Sequence, residues 1–255
     1  LGRATVLKLA TKKPVAVVGF QPRHYGGKWP LAVRRLKPDL ALVQSRKSAE
    51  ELMGMGISAS VFNSGVDLER FKPVSPDTKP KLRAELKLPT EGRLLVHVGH
   101  LTDGRGLEEL AAMAAPGDTV VVVVSSSTEA SPGVRRALEA RGCLVVTGYQ
   151  PQIEHFYQVA DVYVFPTYTT SAAIEFPLSV LEALACGAAV LTRPFGGLAE
   201  ALPEAGHLRY YGSQEQGANA LKELLAPEPE AVNALRQQLV EHFHLTAFPP
   251  GLPSV

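Results

Sequence analysis

Five apolar segments alternate with helix-like segments between positions 93 and 192, and this alternation restricts the possible folds more than any other feature of the chain. RLLVHVG (93–99), DTVVVVVS (118–125), CLVVTG (143–148), DVYVFP (161–166) and AAVLT (188–192) read as strands that are apolar almost throughout. A strand with one wet face alternates apolar and polar residues, whereas a continuous apolar run is covered on both faces. Between the strands, Leu107, Leu110, Ala111 and Ala114 recur at helical spacing, SPGVRRALEARG reads as a helix ended by Gly142, and PQIEHFYQVA reads as another. The pattern predicts a parallel sheet with helices on both sides, a doubly wound α/β domain over 92–225. Ligands of such domains sit at the carboxyl ends of the strands.

The flanking regions read differently. KKPVAVVGF, DLALVQS (39–45) and ASVFNSGVD (59–67) predict three further strands, with KSAEELMGMG as a helix between the last two. A full second domain needs on the order of 100 residues or more. Residues 1–67 are therefore expected to be the C-terminal part of one, and the chain, which starts with Leu1, to be N-terminally incomplete. Residues 68–91 are rich in Pro and charge and predict a linker with a short helix near 80–87. Residues 226–255 predict a closing helix followed by a loose, proline-broken tail.

Charge and composition exclude several classes. The net charge is +1 with no basic block, so nucleic acid is not expected as a partner. The longest apolar runs, such as Val120 to Val124, are far too short to cross a bilayer, and no signal peptide is visible. Cys143 and Cys186 lack metal-ligand spacing and are expected as buried free thiols of a reducing, cytoplasmic compartment.

Chemistry concentrates in two stretches. IEFPLSVLEALACG (174–187) reads as a buried helix between Pro177 and Gly187, yet it carries Glu182 at its centre and Glu175 just ahead. A carboxylate in such surroundings is costly unless something pairs with it. GHLTDGRG (99–106) follows the first strand of the domain and opens a helix, a setting in which backbone N–H groups and a nearby cation favour a phosphate.

Taken in order, NSGVDLERFKP, LLVHVGHLTDGRGLEEL, TGYQPQIEHFYQVADVYVFPT and EFPLSVLEALACGAAVLTRPFGGLAEAL resemble the GT-B glycosyltransferases of the large retaining family 4. The resemblance implies two Rossmann-like domains facing each other across a cleft. Residues 92–225 fall in the complete nucleotide-sugar-binding domain, and residues 1–67 in the last part of the acceptor-side domain. It implies transfer of a sugar from a nucleotide-sugar donor, with retention, to a glycan, lipid-linked or small-molecule hydroxyl acceptor. No metal or other cofactor is implied, and peripheral membrane association is compatible with the relatives that use lipid acceptors.

The resemblance also implies site residues. Arg105 falls where the family has a diphosphate-gripping lysine, and His100 where it usually has an arginine, with Gly99 beside them. Glu182 matches the acid that holds the ribose hydroxyls, with Leu178 and Ser179 on the same helix. Glu175 lies one residue out of place: six residues separate it from Glu182, where the family has seven. It is expected at the donor sugar if the loop before Pro177 is re-routed. Gly196 and Gly197 are expected near donor sugar or phosphate, Thr167 near phosphate, and Tyr149 near the base. His24, in the Gly-rich QPRHYGGKW segment, is the acceptor-side candidate. Catalysis would rest on Glu175, Arg105 and His24, with donor phosphate helping to deprotonate the acceptor and no covalent nucleophile. The alternatives are an inactive nucleotide-binding fragment or partner subunit, and a GT-B epimerase or phosphorylase.

Overall fold

The structure, a computed structural model, describes residues 2–21, 37–125, 130–224 and 227–243. Helix α1 (Gly2–Thr11) precedes strands β1 (Ala16–Val18) and β2 (Leu40–Val43), helix α2 (Arg46–Gly54) and strand β3 (Ala59–Val61). These strands form a parallel sheet in the order β1-β2-β3. Helix α3 (Lys79–Glu85) follows in the linker. The second unit runs β4 (Arg93–Gly99), α4 (Leu107–Met113), β5 (Asp118–Val124), α5 (Pro132–Ala140), β6 (Leu144–Val146), α6 (Glu154–Val159), β7 (Val162–Phe165), α7 (Leu178–Ala185), β8 (Ala189–Thr192), α8 (Leu198–Ala201), β9 (Leu208–Tyr210), α9 (Gln214–Glu223) and α10 (Pro229–Phe243).

The second sheet has six strands in the order β6-β5-β4-β7-β8-β9, all parallel. The continuous apolar strands predict this. Leu94 and Val96 face a core built with Phe156, Leu181, Leu184, Leu235 and Leu239, on α6, α7 and α10. Leu95 and Val122 face the opposite core, with Leu107, Leu110, Val134, Leu138 and Leu221 of α4, α5 and α9. All five predicted strands form, shortened by a residue or more at their ends, except β4, which spans the whole of 93–99. Pro177 sits one position ahead of α7 as its N-cap. Both cysteines are buried free thiols.

Strand order reverses between β4 and β7, and the ladder is weakest there. β4 pairs with β5 over the whole of Arg93–Gly99, but with β7 only at Leu95↔Val162 and Val96↔Tyr163. Beyond that point the two strands part. In a doubly wound sheet this is where a ligand crevice opens.

Helix α10, expected as a closing helix, also ties the linker down. Arg236 donates to the carbonyls of Leu68 (2.9 Å), Phe71 (2.8 Å) and Ala185 (2.6 Å), and Val66 N–H donates to Phe243 O at 2.7 Å. Phe243 stacks on Phe176 at 5.6 Å.

Candidate functional site

The loop after β4 lies against the segment after β7. Gly106 takes a left-handed backbone (φ 71°), and a Cβ there would run into Pro166 O. Arg105 is thereby drawn inward: it is 5% exposed and donates from Nη2 to Ala172 O at 2.8 Å. Its Nε has no partner, and among the described residues no carboxylate pairs with it. Burial lowers its pKa from the ordinary value, although a guanidinium remains charged. Half-buried His100 is close by, with its Nδ1 sealed and unpartnered, and burial followed by Arg105 lowers its pKa. Thr167 is fully buried and its hydroxyl is also unpartnered. The structure thus gathers Gly99, His100, Arg105 and Thr167 at the carboxyl ends of β4 and β7.

Glu182 points from α7 toward α6, where its Oε2 accepts the Tyr157 hydroxyl at 2.7 Å. Burial raises its pKa; the Tyr157 bond and the Arg70 charge pull it down. The carboxylate is half-buried, so it is neither sealed in the core nor freely solvated. Ser179, one turn earlier, lies near Tyr163, whose hydroxyl donates to Val98 O at 3.3 Å. Leu178 is half-buried beside it. The rings of Tyr157 and Tyr163 meet at 5.5 Å, and Tyr163 stacks on His97 at 6.2 Å. A continuous aromatic floor therefore joins Glu182 to the Arg105 loop.

The sequence reading singled out none of the rings in this floor. Its signals were present: a Tyr within DVYVFP and a His within RLLVHVG are polar atoms in buried strands, and each requires a partner.

Glu175, expected at the donor sugar, lies against the three-stranded sheet. It is 4% exposed, and its Oε1 accepts the hydroxyls of Ser45 and of Ser48, the latter at 2.7 Å. Ser45 caps α2 and also accepts Ser48 N–H at 3.1 Å, so the carboxylate sits over the positive end of that helix. Glu175 N–H donates to Phe20 O at 2.7 Å. The residue joins the two sheets, with its Oε1 directed at α2.

Gly196 and Gly197 lie on the same seam. Their backbone approaches protein closely: a Cβ on Gly196 (φ 54°) would meet Glu175 O, and one on Gly197 would meet Gln44 O. Both clashes would be too short for any side chain. Glu200 completes this seam by accepting Arg46 N–H at 2.9 Å, and Phe176 N–H donates to Gln44 Oε1 at 3.2 Å. Tyr149 stands on the loop after β6, 79% exposed. His24 lies outside the described residues.

A six-stranded parallel sheet with its order reversing at β4/β7, and unpartnered polar groups at that crevice, defines a doubly wound domain of the nucleotide-binding type. The chain belongs to the family described as Glycosyl transferases group 1, whose model matches residues 92–227. It is 31% identical over 173 residues to the putative teichuronic acid biosynthesis glycosyltransferase TuaC of Bacillus subtilis strain 168, covering 66% of this chain and 42% of that one. It is 30% identical over 211 residues to the D-inositol 3-phosphate glycosyltransferase of Mycolicibacterium smegmatis, covering 76% and 47%. The chain therefore spans about half the length of these curated relatives.

Among solved structures, Anabaena Alr3699/HepE in complex with UDP superposes with a TM-score of 0.72 at 18% identity, over 94% of this chain and 71% of that one. Sucrose-phosphate synthase from Thermosynechococcus elongatus gives 0.66 at 23%, over 83% and 56%. At these identities the likeness is one of fold, and that fold is the GT-B type. Among the described residues no helix is long and apolar enough to cross a membrane.

Proposed function

We propose that this chain carries the donor-binding half of a retaining glycosyltransferase. In this reading a nucleotide-sugar lies along the carboxyl ends of β4 and β7, with its ribose hydroxyls at Glu182 and its diphosphate at Arg105. The observation that carries the reading is Arg105, a cation 5% exposed with no carboxylate partner among the described residues. A buried, uncompensated charge is costly, and an anionic ligand would offset that cost. The complex of Anabaena Alr3699/HepE with UDP, and relatives that are glycosyltransferases, support the same class of ligand.

The chemistry follows from these groups. As the bond from sugar to diphosphate breaks, negative charge builds on the leaving phosphate, and a preorganised guanidinium in a water-poor site stabilises it. Thr167 and His100 each bring a hydrogen-bonding atom without a permanent charge. The acceptor hydroxyl, on a glycan, a lipid-linked sugar or a small molecule, loses its proton to the donor phosphate on the same face, which gives retention. The reading uses no metal and no covalent nucleophile, and it places the reaction in the cytoplasm.

Calorimetric titration with UDP, GDP and ADP tests the site. Wild type is expected to bind at least one of them, and Glu182→Ala to weaken that binding at least tenfold, about the worth of a charged hydrogen-bond pair. Unchanged affinity in a folded Glu182→Ala protein removes Glu182 from the site.

A second reading is a nucleotide-binding protein without transfer activity. It is favoured by Glu175, whose carboxylate Oε1 is occupied by Ser45 and Ser48. Turnover of a sugar nucleotide by this chain would eliminate it.

A further inference from the structure

His97 occupies the place where β4 and β7 part. Its register partner on β7, were the ladder to continue one step past Val96↔Tyr163, would be Val164. No backbone pairing forms there. Instead the His97 side chain bonds to Val164, with Nδ1 2.9 Å from the carbonyl oxygen. The imidazole thus takes over a carbonyl that the ladder leaves free, and it does so at the strand-order reversal.

That bond fixes the tautomer. A carbonyl oxygen only accepts, so Nδ1 carries the hydrogen and Nε2 is left with a bare lone pair. His97 is 0% exposed, and Nε2 has no partner. It lies where the Arg105 guanidinium also lies: a Cβ on Gly99 would be 2.8 Å from His97 Nε2 and 2.5 Å from Arg105 Nη1. Gly99 has no Cβ, and that is what lets the two groups meet over its backbone.

The chemical identity of Arg105's neighbours matters here. It is held by a neutral carbonyl, Ala172 O, and flanked by a neutral imidazole. A carboxylate would orient the guanidinium equally well but would cancel its charge. Neutral acceptors orient it and leave the charge for a ligand. Arg has five N–H groups, so one given to Ala172 leaves four, including the unpartnered Nε–H.

We propose that His97 is a positioning residue for the donor site: its Nε2, an unpartnered acceptor on the same side of Gly99 as Arg105 Nη1, takes a hydrogen bond from that nitrogen when a diphosphate binds and holds the guanidinium toward it without neutralising it. This rests on the reading of Arg105 as the diphosphate-binding cation. Tyr163 and Phe165, whose ring centroids are each 6.2 Å from the imidazole, pack beside it, and His97 is 0% exposed.

A double-mutant cycle tests the proposal, read by calorimetry with whichever of UDP, GDP and ADP binds wild type most tightly. His97→Phe is expected to weaken binding roughly tenfold, the scale of one hydrogen bond to a charged group. In an Arg105→Ala background the same change is expected to alter affinity by less than about twofold, because the two residues act as one unit. His97→Gln, which restores an acceptor oxygen, is expected to recover most of the loss. A general structural role for His97 would weaken binding equally in both backgrounds, and that result overturns the proposal, as does full affinity in His97→Phe.

If Arg105→Ala binds diphosphates as wild type does, or wild type binds none, the reading of the site fails and this inference with it. If Arg105→Ala loses binding while His97→Phe keeps it, only the inference fails. Histidine ¹⁵N spectra of the unsubstituted protein supply a measurement independent of variant folding: Nδ1 should be protonated and Nε2 bare at neutral pH. The opposite tautomer overturns the proposal.

Discussion

A histidine sealed between two strands accepts a second proton only at the cost of burying a charge. Burial depresses the His97 pKa from 6.5 to about 3, with the Arg105 charge adding to the effect and the Val164 bond opposing it. The sign of the linkage follows. Between about pH 3 and 6.5 the unfolded chain binds a proton at His97 and the folded chain does not. Stability from this residue is therefore fully present above pH 6.5 and declines as pH falls toward 3. The slope is at most one proton, about 1.4 kcal/mol per pH unit. Thermal unfolding of wild type and His97→Phe across pH 4.5–7.5 should show a flatter profile for the variant, and parallel profiles would mean that His97 titrates as freely in the fold as out of it. Glu182 is the complementary case. Its conflict with an apolar helix is visible in the sequence, and the partner that relieves it, Tyr157, is visible only once α6 and α7 are packed together.

At the scale of elements, legibility tracks the range of the interactions involved. β4, β5, β7 and β8 are readable because each is a local apolar run, and the helices between them because their apolar residues recur at helical spacing. The seam formed by residues 174–176 and 195–200 is not readable, because its partners Ser45 and Glu175 are 130 positions apart. A similar separation hides the close backbone approach of Gly197, whose neighbour Gln44 is far away in the chain. Gly197 packs directly on the end of β2 at Gln44 O. A methyl group there must push β2 and α8 apart, since backbone on both sides leaves no flexible atom to yield. Gly197→Ala is expected to destabilise the protein by about 1–3 kcal/mol, the usual range for overpacking a closed site. Urea unfolding measures it, and a loss below about 0.5 kcal/mol, the level of an ordinary surface substitution, would show the seam to be loose.

For the molecule as a whole, the open matter is how firmly the three-stranded sheet is held to the six-stranded one. Among the described residues, direct polar ties across the seam include Glu175 to Ser45, Ser48 and Phe20 O, Glu200 to Arg46 N–H, and Gln44 to Phe176 N–H. Of these, only the Glu175 side chain is a buried charge, and it is satisfied by two hydroxyls and the start of α2. Removing it leaves Ser45 and Ser48 without that acceptor and takes a favourable charge from a helix N-terminus. The effect should be regional. The six-stranded sheet has its own two cores on either face, while the small sheet has a single compact cluster of Ala41, Val43, Ala49, Leu52 and Ile57. Glu175→Ala is therefore expected to lower the opening free energy of α2 by about 2 kcal/mol, and to leave β4, β5 and β7 unchanged. Native-state hydrogen exchange reads both regions in one experiment. A uniform drop in protection would make Glu175 a residue of the global core, and no drop in α2 would mean that the two sheets are held by their other contacts. In either case the displaced acid would need another explanation, and the crevice would be the first place to seek it.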